Sequence, residues 1–120
     1  MKIAFTTQGK TLEAVLDSRF GRAPYFLVYD SDSDSCNVID NRETQNSAQG
    51  AGIQAAETIA KSGATVLVTG HCGPNAFQVL NAAGIRVMHS DTNTVKAALD
   101  SYRSGELREL SNADVEGHWK

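Results

Sequence analysis

The chain has 120 residues, 41% of them hydrophobic and 21% charged, and fourteen acidic against eleven basic side chains leave a net charge of −3. That is one domain of ordinary globular composition, able to bury about two thirds of its extended-chain surface without help from a disulfide or a structural metal. The dispersed, slightly acidic charge excludes a nucleic-acid binder that works by counterion release. No apolar run approaches the ~20 residues of a membrane span, and two cysteines, Cys36 and Cys72, are too few for a four-thiolate iron–sulfur or zinc site.

The opening MKIAFTT turns polar at Thr6-Thr7-Gln8 and has no secretory h-region or cleavage pattern, so the expected location is the cytoplasm. Lys2–Thr7 reads as a buried strand, and Gln8–Pro24, with Gly9, Gly21 and Pro24, as mostly loop. Tyr25–Asp30 and Ser35–Asn41 read as the two strands of a hairpin, joined by alternating serine and aspartate. Ile53, Ala56, Ile59 and Ala60 recur at helical spacing and predict a helix over Ala48–Ser62, with Asn46 or Ser47 as cap and Gly63 as stop. Ala64–Thr69 is a continuous apolar run of the kind buried in a parallel sheet. Pro74 opens a second helix to Ala83, ended by Gly84, and Ile85–His89 forms another strand. A third helix over Asn93–Ser104 gathers Val95, Ala98, Leu99 and Tyr102 on one face and stops at Gly105. The order β-β-β-α-β-α-β-α predicts a single α/β domain over residues 1–104, a mixed sheet flanked by helices. Residues 105–120 are polar and without periodicity, and are expected to form a flexible C-terminal tail.

In open α/β sheets, ligands bind beyond the carboxyl ends of the parallel strands, where strand-to-helix loops and helix N-termini converge. Thr6–Lys10, Thr69–Asn75 and His89–Thr94 are expected to share that edge. The middle segment, TGHCGPN, places an imidazole and a thiol, His71 and Cys72, between Gly70 and Gly73 just before a helix N-terminus. Backbone amides and the helix dipole favour anions at such a position and would depress a thiol's pKa. Cys72 can equally be a small buried residue in a tight turn, and His71 a loop histidine bonded to backbone; His89 merely ends a strand. Gly50 and Gly52 open the first helix almost without side chains, which calls either for close packing or for an anion against bare amides. Arg19 and Arg22 sit in a turn directly before a strand and suit recognition of a multiply charged anion, although solvated surface arginines would look the same. Other patterns fail. DSDSD lacks the glycine and glutamate of a calcium loop, no Gly-Lys-Ser/Thr makes a phosphate loop, and no G-x-S-x-G elbow is present.

Taken together, MKIAFTT, SRFGRAPYF, the GAGIQAAE helix opening, and VLVTGHCGPNAFQVL followed by GIRV resemble the dinitrogenase iron–molybdenum cofactor biosynthesis family over residues 1–104. The terminal His118-Trp119 is similar to a short single-domain branch of it. The resemblance implies a ribonuclease-H-like fold without nuclease activity. It also implies non-covalent binding of an anionic metal–sulfur cluster, either a molybdenum–copper sulfide cluster or an iron–molybdenum–sulfur precursor. Such an anion brings its own sulfides, so a two-cysteine chain can hold it through arginine charge, helix amides and at most one thiol or imidazole. The implied site is Arg19, Arg22, Gly50, Gly52, Gly70, His71, Cys72 and Gly73, with Cys72 and His71 as candidate metal ligands. A net charge of −3 gives no global attraction for an anion, so the attraction must be local.

The expectation is therefore a non-enzymatic carrier or scaffold for a molybdenum-containing cluster, working with cofactor-assembly proteins or partner ATPases and without nucleic acid or membrane. Two rivals stand beside it. One is a thiol-dependent redox or sulfur-transfer protein using Cys72, for which Cys36, in the hairpin, makes a poor resolving cysteine. The other is an interaction module docking on a partner ATPase through the edge loops.

Overall fold

The computed structural model describes residues 1–45 and 50–110; the caps expected at Asn46 or Ser47, the tail from residue 111 and His118-Trp119 lie outside the described residues. The elements are β1 (Lys2–Thr7), β2 (Tyr25–Asp30), β3 (Ser35–Asp40), α1 (Arg42–Gln45), α2 (Ala51–Lys61), β4 (Val66–Thr69), α3 (Pro74–Ala82), β5 (Arg86–His89), α4 (Val95–Arg103) and β6 (Arg108–Glu109). The six strands form one mixed sheet in the order β3-β2-β1-β4-β5-β6.

Strand direction decides where a site can lie. β2 is antiparallel to both β1 and β3, so β3 runs with β1; β4 is parallel to β1, and β5 to β4. The carboxyl ends of β3, β1, β4 and β5 therefore share one edge, and α2, α3 and α4 all start there or just beyond it. From β1 the chain steps outward through two hairpin partners, then returns to place β4 on β1's other side. The β1–β4 boundary is thus the point where strand order reverses, the usual crevice of an open α/β sheet.

The side-chain alternation of the strands divides the core between two faces. Ala4, Phe26, Val28, Leu67 and Val87 pack with Ala55, Ala56 and Ile59 of α2 and Ala76 and Leu80 of α3. Ile3, Phe5, Leu27, Tyr29, Val66, Val68 and Met88 pack with Val95, Ala98 and Leu99 of α4. The sheet lies between two helices on one face and one on the other, each helix contributing one apolar stripe.

Three expectations need correction. The first helix begins at Ala51, after Gly50 at φ 75°, a left-handed conformation that suits glycine. Asn41 leaves the hairpin strand and bonds instead to the turn before β2, with Nδ2 donating to the carbonyl of Ala23 at 2.8 Å and its amide to Pro24 at 2.8 Å. Within the segment 105–120 expected as a flexible tail, residues 108–110 are seated on the sheet: Arg108–Glu109 pair antiparallel with β5, the Leu110 amide donates to the Val87 carbonyl at 2.8 Å, and the Leu110 side chain is buried. A two-residue strand offers no periodicity to read, and Arg86 holds Glu109 across it at 2.7 Å.

The turn leaving β3 is fixed by charge. Asp40 accepts hydrogen bonds from the Arg42 side chain and amide, which hold its carboxyl down to about 2. Because the folded pKa lies below the ordinary value of 3.8, the pair's contribution is present above that value and fades as pH falls toward 2. A carbon-detected NMR titration should place the Asp40 midpoint near pH 2, and in Arg42→Ala the midpoint should rise toward the ordinary carboxylate value.

Candidate functional site

The loop after β1 folds back over the end of β4, and backbone hydrogen bonds fasten it there. The His71 amide donates to the Ser18 carbonyl at 2.7 Å, and the Phe20 amide donates to the His71 carbonyl at 3.2 Å, making a short parallel bridge between Arg19 and His71. Glycine is required at this crossing. A Cβ on Gly70 would lie 2.7 Å from Ser18 Cα and 2.8 Å from its carbonyl oxygen. One step on, Gly21 presses against the start of α2, where its Cβ would stand 2.9 Å from both the nitrogen and Cα of Gly52. Beneath the loop, the buried Thr6 hydroxyl donates to the Asp17 carbonyl at 2.7 Å and pairs with Thr69 Oγ1 at 2.9 Å, tying the ends of β1 and β4 to it.

This clamp encloses a cleft of about 730 Å³ walled by three segments: Arg19–Gly21, then Gly50, Gly52 and Ile53, then His71 with Gly73–Ala76. That volume falls in the range of small-molecule sites. Two helices open into it. Both α2 and α3 have glycine at the N-cap, Gly50 and Gly73, so neither receives a side-chain cap, and neither carries an acidic residue in its first turn. By contrast α4 is capped by Thr94, whose hydroxyl accepts from the Ala97 amide. First-turn amides have no intrahelical acceptor, and neither N-cap glycine offers those of α2 and α3 a side-chain one, so among the described residues they face the cleft with both dipoles adding positive potential. Arg19 supplies a full charge at the rim. Its side chain is 64% exposed and is steadied by Asp17, whose Oδ1 accepts from the Arg19 amide at 2.8 Å and lies 3.5 Å from Nε. The Asp17 carboxylate is itself buried, and its Oδ2 has no hydrogen-bond partner among the described residues. Beside the polar side chains of His71 and Asn75, the wall carries the apolar Phe20, Ile53, Pro74 and Ala76.

The family model described as dinitrogenase iron–molybdenum cofactor matches residues 1–105. This chain belongs to the dinitrogenase iron–molybdenum cofactor family. Among solved structures it is similar to the apo orange protein of Desulfovibrio gigas, at 41% identity and a TM-score of 0.90, over 94% of this chain and 95% of that one. A Thermotoga protein described as NifB-like, of the DUF35 family, is 34% identical with a TM-score of 0.85, covering 97% of this chain and 98% of its own. A dinitrogenase-like protein of Methanocaldococcus jannaschii shares the fold at 19% identity and a TM-score of 0.67, over 93% of this chain and 96% of that one. No curated protein sequence matches the chain.

Of the residues singled out in this family member's sequence, Arg19, Gly50, Gly52, His71 and Gly73 line the cleft. Arg22 is exposed and lies outside its wall. Gly70 is buried under Ser18, where it serves the close crossing. Cys72 is fully buried within the core cluster that holds Phe20, Ala76 and Leu80, the small-residue-in-a-turn alternative, with Sγ 3.7 Å from the Gly73 carbonyl. Close packing explains Gly52: Gly21 lies against its backbone, and an added Cβ would stand 3.3 Å from Ala76 Cβ of α3. Sequence reasoning missed Ile53 as a wall residue. It fits the apolar period of α2, yet it is 38% exposed at the cleft, while Ala51, Ala55, Ala56 and Ile59 are buried.

Gly21→Ala must move backbone and should lower stability by about 1–3 kcal/mol. At Gly73 φ is −74° and nothing lies within 4 Å of an added Cβ, so Gly73→Ala should change it by less than about 1 kcal/mol. Urea unfolding of the two variants measures both.

Proposed function

We propose that this family member is a non-enzymatic carrier of an anionic, molybdenum-containing metal–sulfur cluster, held without covalent attachment in the cleft between Arg19, α2 and α3. A molybdenum–copper sulfide cluster is the favoured cargo and an iron–molybdenum–sulfur precursor the alternative. The observation that carries the reading is the meeting in one cleft of two helix N-termini with glycine at the N-cap. An arginine stands at its rim, and Phe20, Ile53, Pro74 and Ala76 give it an apolar wall beside His71 and Asn75. Each helix terminus favours an anion by about 0.3–1 kcal/mol, and by up to about 2 where partly buried. A hard, strongly hydrated oxyanion would lose water against Phe20, Ile53 and Pro74 without replacement. A large sulfide-faced anion is weakly hydrated and polarisable, and loses little there.

The same wall supports a carrier over an enzyme. Among the described side chains that line it, Arg19 and His71 are the ionisable ones, and they make no acid–base pair and no nucleophile beside a base. The thiol reading is disfavoured because Cys72 is buried. Cys36 sits near the amino end of β3, away from the cleft edge, with partial desolvation and the carboxylates of Asp34 and Glu13 pushing its thiol up. No described helix is long and apolar enough to cross a membrane. In this reading the protein works in the cytoplasm and passes its cargo to cofactor-assembly proteins or a partner ATPase at the open mouth of the cleft.

Titration of the protein with tetrathiomolybdate, alone and with copper, followed by visible absorption, tests the reading. Arg19→Gln should weaken uptake about tenfold, equivalent to about 1.4 kcal/mol, and leave the unfolding midpoint nearly unchanged. Arg22→Gln, outside the wall, should change uptake by no more than about twofold. Equal curves for wild type and Arg19→Gln would place the anion elsewhere.

Cys72→Ala removes a buried sulfur and should cost about 1–2 kcal/mol of stability, yet the folded variant should still take up a coloured cluster. Loss of uptake in folded Cys72→Ala would make the thiol a ligand and end the non-covalent account.

A further inference from the structure

The two edges of the sheet are built differently. β6 closes one with two residues, Arg108 and Glu109, both charged. β3 forms the other with six, Ser35–Asp40, in unbroken register with β2. Proteins blunt a strand edge by shortening it or with bulges, proline, lysine and other charges. Of these β3 carries only Asp40, at its end. Hydrogen-bond phase shows which of its groups face outward. The Asn41 amide bonds to the Pro24 carbonyl at 2.8 Å, and on the other side of β2 the Ser31 amide bonds to the Met1 carbonyl at 2.9 Å. Successive residues of an antiparallel ladder bond to opposite sides, and both bonds give the same phase. Phe26, Val28 and Asp30 face Ile39, Asn37 and Ser35 as the bonded pairs. The amides and carbonyls of Cys36, Val38 and Asp40 therefore point away from the sheet, and among the described residues no backbone group bonds to them.

This outward set is centred on Val38, so it can meet itself. A second β3 laid antiparallel about a two-fold axis at Val38 pairs Val38 with its own copy, and Cys36 with Asp40 on either side. Charge selects that orientation. The turn at the start of β3 carries Asp30, Asp32 and Asp34. The far end carries Lys10 and Arg42, whose cationic groups lie 5.3 and 5.5 Å from the centre of the Tyr25 ring. Parallel pairing would set acidic turn on acidic turn, whereas the antiparallel register brings Asp34 opposite Arg42 of the copy. We propose that β3 is a self-docking edge through which two copies of this chain join their sheets into one. The β3 of the copy runs in the reverse direction, and within each chain β3 runs with β1. The two clefts therefore open at opposite edges of the joined sheet, and neither mouth is covered. The pairing is independent of what the clefts hold.

Sedimentation of the full chain under reducing conditions, from about 10 μM to about 1 mM, tests the proposal. Mass should rise toward the dimer across that range. Amide exchange at Cys36, Val38 and Asp40 should slow with concentration, while that at Asn37 and Ile39, already bonded to β2, should not change. Val38→Lys sets two like charges face to face on the axis and should weaken dimerisation at least about tenfold. Bonded cross-strand pairs have Cα atoms about 5.5 Å apart, a separation a disulfide spans. Cys36→Ser combined with Val38→Cys should therefore oxidise to a covalent dimer, and this variant decides the matter if Val38→Lys fails to fold. A chain that stays monomeric throughout, with β3 left to a strand of some other protein, would overturn the proposal. A dimer that Val38→Lys leaves intact, or one in which Val38→Cys does not cross-link, would overturn it as well.

Discussion

Two backbone hydrogen bonds, from the His71 amide to the Ser18 carbonyl and from the Phe20 amide to the His71 carbonyl, hold the loop after β1 against the turn after β4. The rest of the site depends on that seam. It sets Gly70 under Ser18 and carries Gly21 onto Gly52, so the loop lies across the openings of both α2 and α3. Arg19 is carried on the seam itself, between the two bonded residues, which puts its guanidinium at the rim where neither helix terminus carries an acidic residue. Side chains larger than hydrogen at Gly21 or Gly70 would force the layers apart, and the cleft would lose one wall.

The site also shows how a protein of net charge −3 can be built to attract an anion. Nothing in the overall charge favours one, and beyond about 8 Å at physiological salt the field of exposed charges is screened. What remains is local: oriented amides at two helix ends, one arginine, and apolar walls that raise the strength of each by limiting water. Asp17 belongs to the same economy of placement, because a buried carboxylate bonded to the Arg19 amide fixes the backbone of the residue whose charge matters.

The strands and helices that position the site were legible because each carries its own signal. The apolar or aromatic runs of β1, β2 and β4 and the glycine stops at Gly63, Gly84 and Gly105, all with positive φ, appear where the residue pattern puts them. The convergence of the loops at Gly9, His71 and His89 followed from strand order. The cleft itself was only half legible. Arg19, Gly50, Gly52, His71 and Gly73 stood out by residue type, whereas Ile53 and Ala76 look like any apolar helix residue until the seam is drawn. Cys72 stayed open between two readings, a reactive thiol beside a helix N-terminus and a small buried residue in a tight turn, and the packing of the turn, which buries its sulfur, decides for the second. β6 was missed because its pairing with β5 is set by Leu110 and the Arg86–Glu109 ion pair, partners far apart in sequence.

The central claim is that the first-turn amides of α2 and α3 hold the anion together. The most direct measurement is an amide-resolved NMR titration of the 15N-labelled protein with tetrathiomolybdate. The account predicts that the amides of Ala51, Gly52, Ile53, Asn75 and Ala76 shift together and saturate at a single stoichiometry, with the Thr94–Ala97 turn of side-chain-capped α4 unaffected. Saturating shifts confined to other parts of the surface, with those five amides unmoved, would contradict it.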